Sequence, residues 1–374
     1  MVQIIQIKIL VIGLILAIVL FSGCSTPPVQ GEQKIKIGAL VPLSGNSAIY
    51  GESARSGAEL AAGQINAAGG ISGQKLEVVF EDSKGDAKEA LSAFEKFENV
   101  PAEITMISGV VLAVAPLAEK QKIVLMNIGA KNPAISQAGG FVFSNIPNSE
   151  FDEKVFAGFV KNNLGISKVA LLNGNNDYGI ATSKTFEKFF TEIGGTIAAK
   201  ESYENNATDF RTQLTKIKEA NPEGIFLVGY QEQGNLLKQA YELGINAKWL
   251  APEGFAQPVI VETAGTAAER VIYHAPEFNP DSNKEPSKTF FEEYRKKFGK
   301  QPDIYAANAY DAVRLFAQAI QEAGNNSEKI KEWLYNVKDW PSVTGNTSFD
   351  KNGDVIKPIQ IMTVKNGEFV PYEN

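Results

Sequence analysis

Residues 35–70 read IKIGALVPLSGNSAIYGESARSGAELAAGQINAAGG, and this stretch decides the fold. It begins with a β-rich run, Ile35 to Val41, and passes through a polar loop into a helical run from about Gly51 to Ala68. One face of that helix carries small and aliphatic side chains, at Ala54, Ala58, Ala61, Ile65 and Ala68. This spacing predicts an amphipathic helix, which ends where Gly69-Gly70 can take the left-handed conformation. The stretch is therefore predicted to form a strand–loop–helix unit.

The same alternation of β-rich and helical runs continues along the chain. Further strands are predicted at Leu76 to Phe80, Ile104 to Ile107, Ile123 to Met126, Val169 to Leu172, Ile225 to Val228 and Val271 to Tyr273. Helices are predicted at about Asp86 to Glu98, Ala113 to Lys120, Ser149 to Asn163, Ile180 to Ile193, Asp209 to Glu219, Glu232 to Leu243, Ser287 to Phe298 and Tyr305 to Ala323. Such alternation indicates an α/β fold with parallel sheets and right-handed crossovers. Because each half reads βαβαβ, we expect two similar, Rossmann-like lobes.

Composition excludes several classes of function. At roughly 150 residues per domain, the 374 residues indicate two domains or one large one. The formal net charge of -7 argues against nucleic acid as a partner, because a nucleic-acid surface needs an excess of Lys and Arg. One cysteine and one histidine cannot form a Cys/His metal cage or an intrachain disulfide framework. We expect neither a metal nor a cofactor.

The N-terminus is predicted to be an export signal. Lys8 is the only charged residue before Glu32, and the run from Ile9 to Phe21 is uncharged and mostly aliphatic. This run suits a signal peptide better than a transmembrane helix, which needs about 20 residues to cross a bilayer. We predict a signal peptide at residues 1–23, followed by a polar tether at residues 24–33.

A lone cysteine follows the apolar run, in the sequence Leu20-Phe21-Ser22-Gly23-Cys24. This resembles a bacterial lipoprotein signal, which implies cleavage before Cys24 and a diacylglycerol on its thiol. Phe21 departs from that pattern, which usually has Leu at this position. A core or surface cysteine, or an uncleaved anchor, is the alternative. A membrane-anchored lipoprotein in the periplasm or at the cell surface is therefore predicted.

The loops after the predicted strands are the places to look for a ligand site, because open parallel sheets bind ligands beyond the carboxyl ends of their strands. These loops are rich in polar and aromatic residues, although any single Asn, Gly or Ser in them could be a simple turn residue. They are Pro42 to Gly51, Ser108 to Val111, Asn127 to Asn132, Asn173 to Gly179, Gly229 to Gly234 and Ala251 to Ala256.

Motifs in these loops and the flanking helices occur in a fixed order from about residue 34 to residue 360. They include Pro42-Leu43-Ser44-Gly45, Tyr50-Gly51-Glu52, Gly57 to Leu60, Ile65 to Ile71, Glu81-Asp82-Ser83, Gly129-Ala130, Asp177-Tyr178-Gly179, Thr208-Asp209-Phe210, Gly229-Tyr230, Pro252-Glu253-Gly254, Tyr310-Asp311-Ala312 and Gly353-Asp354. Together they resemble the branched-chain amino-acid binding proteins, a type I periplasmic binding family that serves ABC importers. No single motif is specific, but their number and order are.

The resemblance implies a particular architecture and mode of action. Two lobes would be joined by three hinge crossovers, near Ser144 to Pro147, His274 to Pro276 and Gly345 to Phe349. The N-terminal lobe would comprise residues 34–145 and 276–345, and the C-terminal lobe residues 146–275 and 346–374. A monomer would bind an amino acid, branched-chain or similarly aliphatic, in the cleft, close about its hinges and deliver the ligand to a membrane permease.

The resemblance also implies which residues bind the ligand. Ser108, Ala130 and Lys131 would line the carboxylate side on the first lobe. On the second lobe, Glu253 would accept from the ammonium, while Tyr178 and Tyr230 close over the ligand; Tyr50 would flank its side chain. The alternatives are structural: a solvated turn carboxylate for Glu253, sheet-end caps for Tyr178 and Tyr230, rim packing for Tyr50, and a turn for Ser108. We expect His274 at the hinge or surface, and Arg295-Lys296-Lys297 on a solvated helix face.

Two residues depart from the family pattern. Lys131 stands where the family usually has Thr or Ser, and Asn127 where it usually has Ser. Lys131 could point to solvent and offer only its backbone N–H. Otherwise its charge would favour a ligand with an extra carboxylate or a simple organic acid.

Two other classes of function compete with transport. The same fold supplies sensory ligand-binding domains, so a sensory component, or a binder of an organic acid or amide, is an alternative. Catalysis is not predicted, because no GxGxxG, P-loop, GxSxG or HExxH motif occurs in the sequence.

Overall fold

The computed structural model describes residues 34–278 and 282–373. The signal peptide, the tether and the lipidated Cys24 predicted from the sequence lie outside these residues. No helix in the described ranges combines the length and the apolar character needed to cross a membrane.

The first lobe is built on a five-stranded parallel sheet. Its strands are β1 (Ile35–Val41), β2 (Leu76–Asp82), β3 (Ala102–Thr105), β4 (Val124–Asn127) and β5 (Val142–Ser144), in the order β2-β1-β3-β4-β5. Its helices are α1 (Ala48–Ala67), α2 (Ala87–Phe94) and α3 (Ser108–Gln121).

The second lobe is built on a seven-stranded sheet. Its strands are β6 (Lys168–Gly174), β7 (Thr196–Tyr203), β8 (Gly224–Val228), β9 (Lys248–Ala251), β10 (Ile272–Pro276), β11 (Ile359–Lys365) and β12 (Glu368–Pro371), in the order β12-β11-β10-β9-β8-β6-β7. Its helices are α4 (Ser149–Asn162), α5 (Asp177–Glu192), α6 (Arg211–Ala220), α7 (Gln233–Glu242) and α8 (Pro258–Ala264). Strands β6 to β10 are parallel, whereas β11 and β12 add an antiparallel hairpin.

Each lobe has its own hydrophobic core. In β6, Ala170 and Leu172 pack into one buried cluster, whereas Val169 and Leu171 pack into another. Because successive side chains of a strand point to opposite faces, this sheet is covered on both sides. The predicted α/β fold with parallel sheets is therefore confirmed.

Three later helices return to the core of the first lobe: α9 (Ser287–Phe298), α10 (Ile304–Ala323) and α11 (Ser327–Tyr335). The predicted basic run Arg295-Lys296-Lys297 is exposed on α9. Helix α10 lies so close to α1 that a Cβ atom at Gly57 would be 1.9 Å from the carbonyl oxygen of Ala306. Glycine at position 57 therefore sets how closely the two helices pack.

The third crossing between the lobes comes later than predicted. The sequence placed it at Gly345 to Phe349, but Phe349 and Val355 lie in the core of the first lobe. The ring of Phe349 is 5.3 Å from that of Phe143, and the N–H of Ser144 donates to the carbonyl of Gly353 at 2.8 Å. These contacts hold the segment on the first lobe, so the chain crosses shortly before β11.

Glu103 in β3 is a buried carboxyl group with a testable effect on stability. It is fully buried, and neither carboxyl oxygen has a hydrogen-bond partner among the described residues. Burial raises the pKa of Glu103 well above 4.5. The folded protein therefore keeps a proton that the unfolded chain releases, and stability should fall as the pH rises above the ordinary range for Glu.

Replacing Glu103 with leucine should remove this pH dependence and raise the free energy of unfolding near neutral pH by about 1–3 kcal/mol, because an unpaired buried polar group is lost. Urea unfolding between pH 5 and pH 8 measures both effects. Glu219→Leu, at an exposed position in α6, is the matched control. A Glu103→Leu variant with the wild-type pH dependence would contradict the prediction.

Candidate functional site

A cavity lies between the two lobes, beyond the carboxyl ends of the parallel strands. Its wall is formed by Tyr50, Met106, Ile107, Ser108, Gly129, Ala130 and Tyr305 from the first lobe, and by Tyr178, Tyr230 and Gly254 from the second. Five of the seven predicted ligand-binding residues therefore lie on the cavity wall.

Four tyrosines make much of this wall aromatic. The ring centroid of Tyr50 is 5.7 Å from that of Tyr230 and 5.1 Å from that of Tyr305, and Tyr178 lies 5.5 Å from Tyr230. Burial, followed by the nearby Glu253 carboxylate, raises the pKa of both Tyr178 and Tyr305 well above 10. The phenols therefore stay neutral and keep a proton to donate. Tyr305 was not predicted as a site residue, although its position at the start of the long predicted helix Tyr305 to Ala323 was a usable signal.

Helix α3 begins at the cavity wall. The sequence suggested a loop from Ser108 to Val111, but Ser108 is the first residue of α3. The preceding residue, Ile107, has a φ of 70°, which is strained for a β-branched side chain. The first N–H groups of a helix lack partners within the helix and carry partial positive charge, so this end of α3 suits an anion.

The loop after β4 is folded by Asn127. Its Oδ1 accepts from the N–H groups of Ala130 at 2.7 Å and Gly129 at 3.1 Å, and its Nδ2 donates to the carbonyl of Ala130 at 2.9 Å. Ala130 therefore lines the cavity, but its N–H is already bonded to Asn127. The Oγ of Ser108 accepts from the N–H of Lys131 at 3.3 Å, which fixes the loop against α3.

Lys131 does not face solvent. Only 1% of its surface is exposed, so the solvent-facing alternative is wrong. Its Nζ donates to Asp152 of the second lobe and lies 3.6 Å from Oε1 of Glu253. Burial disfavours the charged form, but the carboxylates of Asp152 and Glu253 outweigh it and raise the pKa of Lys131. Lys131 is therefore a buried ammonium, placed behind the cavity wall.

His274 is buried beside the same groups. It lies in β10 and is fully buried, so the surface alternative is excluded; its Nε2 is 3.0 Å from Oε1 of Glu153. Burial opposes the charged imidazolium, but Glu153 outweighs it and raises the pKa of His274. Burial likewise raises the pKa of Glu153. His274 and Glu153 therefore form a buried hydrogen-bonded pair.

Glu253 completes this buried group. It begins a short 3-10 turn, Glu253–Phe255, directly after β9, and it is 1% exposed, so it is not a solvated turn carboxylate. Its Oε2 has no hydrogen-bond partner among the described residues. Gly254, rather than Glu253, reaches the cavity wall.

We call Lys131, Asp152, Glu153, Glu253 and His274 the charge cluster. Asp152 is paired with Lys131, and Glu153 lies within hydrogen-bond distance of His274. Glu253 shares Lys131 with Asp152, since its Oε1 lies 3.6 Å from Nζ, and its Oε2 has no hydrogen-bond partner among the described residues. Asp152, Glu253 and His274 offer atoms within 4.8 Å of one another, a spacing a metal ion could use. The Lys131 ammonium lies against two of these three residues, so the cluster already contains its cation.

Direct hydrogen bonds join the two lobes around the cavity. The hydroxyl of Tyr50 donates to the carbonyl of Gly254 at 2.9 Å. At the rim, Asn46 donates to Glu232 at 3.0 Å and accepts from Gln231 at 2.9 Å. The structure is therefore a closed form. Sequence reasoning missed the rim residues because their partners lie about 185 positions away in the chain.

Comparisons with known proteins agree with this architecture. A family model described as a periplasmic binding protein matches residues 34–368. The leucine-, isoleucine-, valine-, threonine- and alanine-binding protein of Pseudomonas aeruginosa is 29% identical over 346 residues, which cover 91% of this chain and 89% of that protein.

Solved structures are similar over most of the chain. The leucine binding protein LivK from Thermotoga maritima superposes with a TM-score of 0.85 at 29% identity, covering 91% of this chain and 98% of that one. The substrate binding protein LivJ from Streptococcus pneumoniae, in complex with isoleucine, has a TM-score of 0.83 at 32% identity, covering 90% and 98%. A benzoate-bound solute binding protein from R. palustris, at 19% identity and a TM-score of 0.82, shares the fold.

These relatives are binding proteins, which confirms the prediction that the chain is not an enzyme. The family match spans nearly the whole described chain, and the predicted resemblance is confirmed. The chain belongs to the periplasmic binding protein family.

Proposed function

We propose that this chain is the extracytoplasmic solute-binding component of an ABC importer and that it binds a branched-chain or similar aliphatic amino acid between its lobes. The observation that carries the proposal is Glu253, a buried carboxylate close to the cavity, whose Oε2 has no hydrogen-bond partner among the described residues and whose neighbouring cation, Lys131, already pairs with Asp152. Leaving a charge buried without a partner is costly, so such a site favours a ligand that brings an ammonium.

The rest of the ligand fits the other parts of the wall. The N-terminus of α3 and the hydroxyl of Ser108 suit a carboxylate, since both supply donors at the cavity. Met106, Ile107 and the tyrosine rings offer apolar surface to an aliphatic side chain. The names of the relatives from P. aeruginosa, T. maritima and S. pneumoniae support the same class of ligand.

Closure would couple binding to delivery. Because the ligand contacts both lobes only when they are closed, its differential affinity shifts the population toward the closed form. The closed form would then dock on a membrane permease, with a lipid on Cys24 holding the protein at the membrane. A single acyl chain binds membranes only weakly, so the two chains of a diacylglycerol suit this role.

A simple organic acid is the second candidate, and Lys131 favours it. The Lys131 ammonium lies 3.6 Å from Glu253 and supplies part of the positive charge that a ligand ammonium would otherwise bring. A carboxylate ligand without an amino group would then lose less by binding here than at a site with no resident cation.

Thermal-shift titration distinguishes the two candidates. L-leucine, L-isoleucine and L-valine should raise the melting temperature in a concentration-dependent way. Each stabilises the folded protein by a free energy of RT ln(1 + [L]/Kd). D-leucine is the matched control, and 4-methyl-2-oxopentanoate and benzoate represent the organic acids. An equal shift with 4-methyl-2-oxopentanoate would favour the second candidate, and no shift with any L-amino acid would reject the first.

A further inference from the structure

Lys131 connects the two lobes at the point where the chain departs from its family. It belongs to the loop after β4 in the first lobe, and its Nζ reaches Asp152 in α4 and approaches Glu253 after β9, both in the second lobe. The N–H of Ser149, at the start of α4, donates to the carbonyl of Lys131 at 2.9 Å. Backbone and side chain thus tie Lys131 to the helix that carries Asp152.

We propose that Lys131 is a positioning residue that keeps Asp152 occupied as its own counter-ion, so that Glu253 is the one carboxylate of the charge cluster left for the ammonium of the ligand. The proposal rests on the proposed amino-acid function and goes beyond it. Lys131 acts through Asp152 and Glu253, because its buried Nζ donates to Asp152 and lies 3.6 Å from Oε1 of Glu253.

Groups from several elements face Lys131. Asp152 and Glu153 from α4 and Glu253 from the turn after β9 all act on its charge. His274 from β10 lies among the same carboxylates. Lys357, just before β11, is another buried cationic group, and the charge of Lys131 acts on it. Burial and the charge of Lys131 together lower the pKa of Lys357 to about 8, against the opposing attraction of Asp311. Lys357 therefore belongs with Asp311 and does not replace Lys131.

The arrangement predicts what happens when the Lys131 ammonium is removed. Asp152 and Glu253 would then be two buried carboxylates in one site. Like charge and burial prevent both from staying ionised, so one of them would hold a proton. An amino acid could place its ammonium there only if the carboxyl group released that proton. The affinity for an amino acid would therefore depend on pH.

Isothermal titration calorimetry with L-leucine at pH 6, 7 and 8 tests the proposal on the full-length protein. Lys131→Gln keeps the backbone N–H but removes the charge. The affinity of this variant for L-leucine should increase with pH more steeply than that of the wild type, by up to about tenfold more per pH unit. The reason is that the variant releases one proton for each ligand that binds. Lys131→Gln/Asp152→Asn removes the pair together and should lose this extra pH dependence. Lys200→Gln, which breaks an exposed ion pair with Glu187, is the matched control.

Asp152→Asn supplies an independent arm, in case Lys131→Gln alone does not fold. Without Asp152, the Lys131 ammonium is free to pair with Glu253 and to compete with the ligand. Leucine affinity should therefore be lower in Asp152→Asn than in the double variant, which lacks the competing ammonium.

The outcomes separate this proposal from the proposed function. If the wild type binds no leucine or other amino acid, the function fails and the role of Lys131 fails with it. If the wild type binds leucine but Lys131→Gln follows the wild-type pH profile, or Asp152→Asn binds at least as tightly as the double variant, the role of Lys131 alone is overturned.

Discussion

Replacing Glu253 with glutamine should weaken the binding of L-leucine by about 2–5 kcal/mol, the usual cost of removing one partner of a buried, hydrogen-bonded charge pair. The amide keeps the shape of the side chain but not its charge, so the ligand ammonium would be buried without a full counter-charge. Isothermal titration calorimetry measures the loss. Glu242→Gln, an exposed substitution in α7, is the control that should leave the affinity unchanged.

The same substitution should not destabilise the empty protein. Glu253 is buried with Oε2 unpartnered, so the wild type already carries an unpaired polar atom there when no ligand is bound. Because Asp152 remains as the counter-ion of Lys131, removing the Glu253 charge does not leave a buried cation unpaired and should cost the empty protein little. A loss of affinity with an unchanged or higher melting temperature would identify Glu253 as a binding residue. Unchanged affinity for every amino acid would remove it from the site.

Gly57→Ala should lower the free energy of unfolding by about 3 kcal/mol, at the upper end of the usual cost of overpacking a core. The new methyl group would lie 1.9 Å from the carbonyl oxygen of Ala306. The obstacle is the backbone of α10, so the clash can be relieved only by moving the two helices apart. Urea unfolding monitored by circular dichroism measures the change.

Gly63→Ala on the same helix is the control. A Cβ atom at Gly63 meets nothing within 4 Å. Alanine there should stabilise the protein by about 0.5–1 kcal/mol, the ordinary gain from replacing glycine inside a helix. Similar effects of the two substitutions would show that Gly57 matters through helix propensity and not through the contact with α10.

The sequence predicted those parts of the fold in which local pattern and burial agree. The bounds of β1 and α9 were predicted correctly, because a strong apolar run and a clear helical period define them. Strand β7 was missed because its sequence, TIAAKESY, is polar and lies at a sheet edge, so it has no apolar alternation to detect.

The hairpin of β11 and β12 was also missed, although it carried a readable signal. Asn366 and Gly367 both have positive φ, at 54° and 78°, and Asn-Gly between alternating residues is the strongest short-range hairpin pattern. The expectation of continued strand–helix alternation obscured this signal.

The site was predictable where the family resemblance supplied the residues. Tyr50, Tyr178 and Tyr230 lie on the cavity wall, as the resemblance implied. The direction of Lys131 was not predictable, because it depends on Asp152, which no local pattern connects with it. The sequence left a solvent-facing and a pocket-facing side chain open, and the structure instead places the ammonium behind the wall.

The rim contact between Asn46, Gln231 and Glu232 has a kinetic consequence. These hydrogen bonds join lobe to lobe without any contribution from the ligand, so they must break before the ligand can leave. When opening of such a gate is slow, release is limited by the gate and not by the strength of the inner contacts. For the proposed amino-acid ligand, residence time would then be tuned at the rim, separately from the contacts proposed at the inner wall.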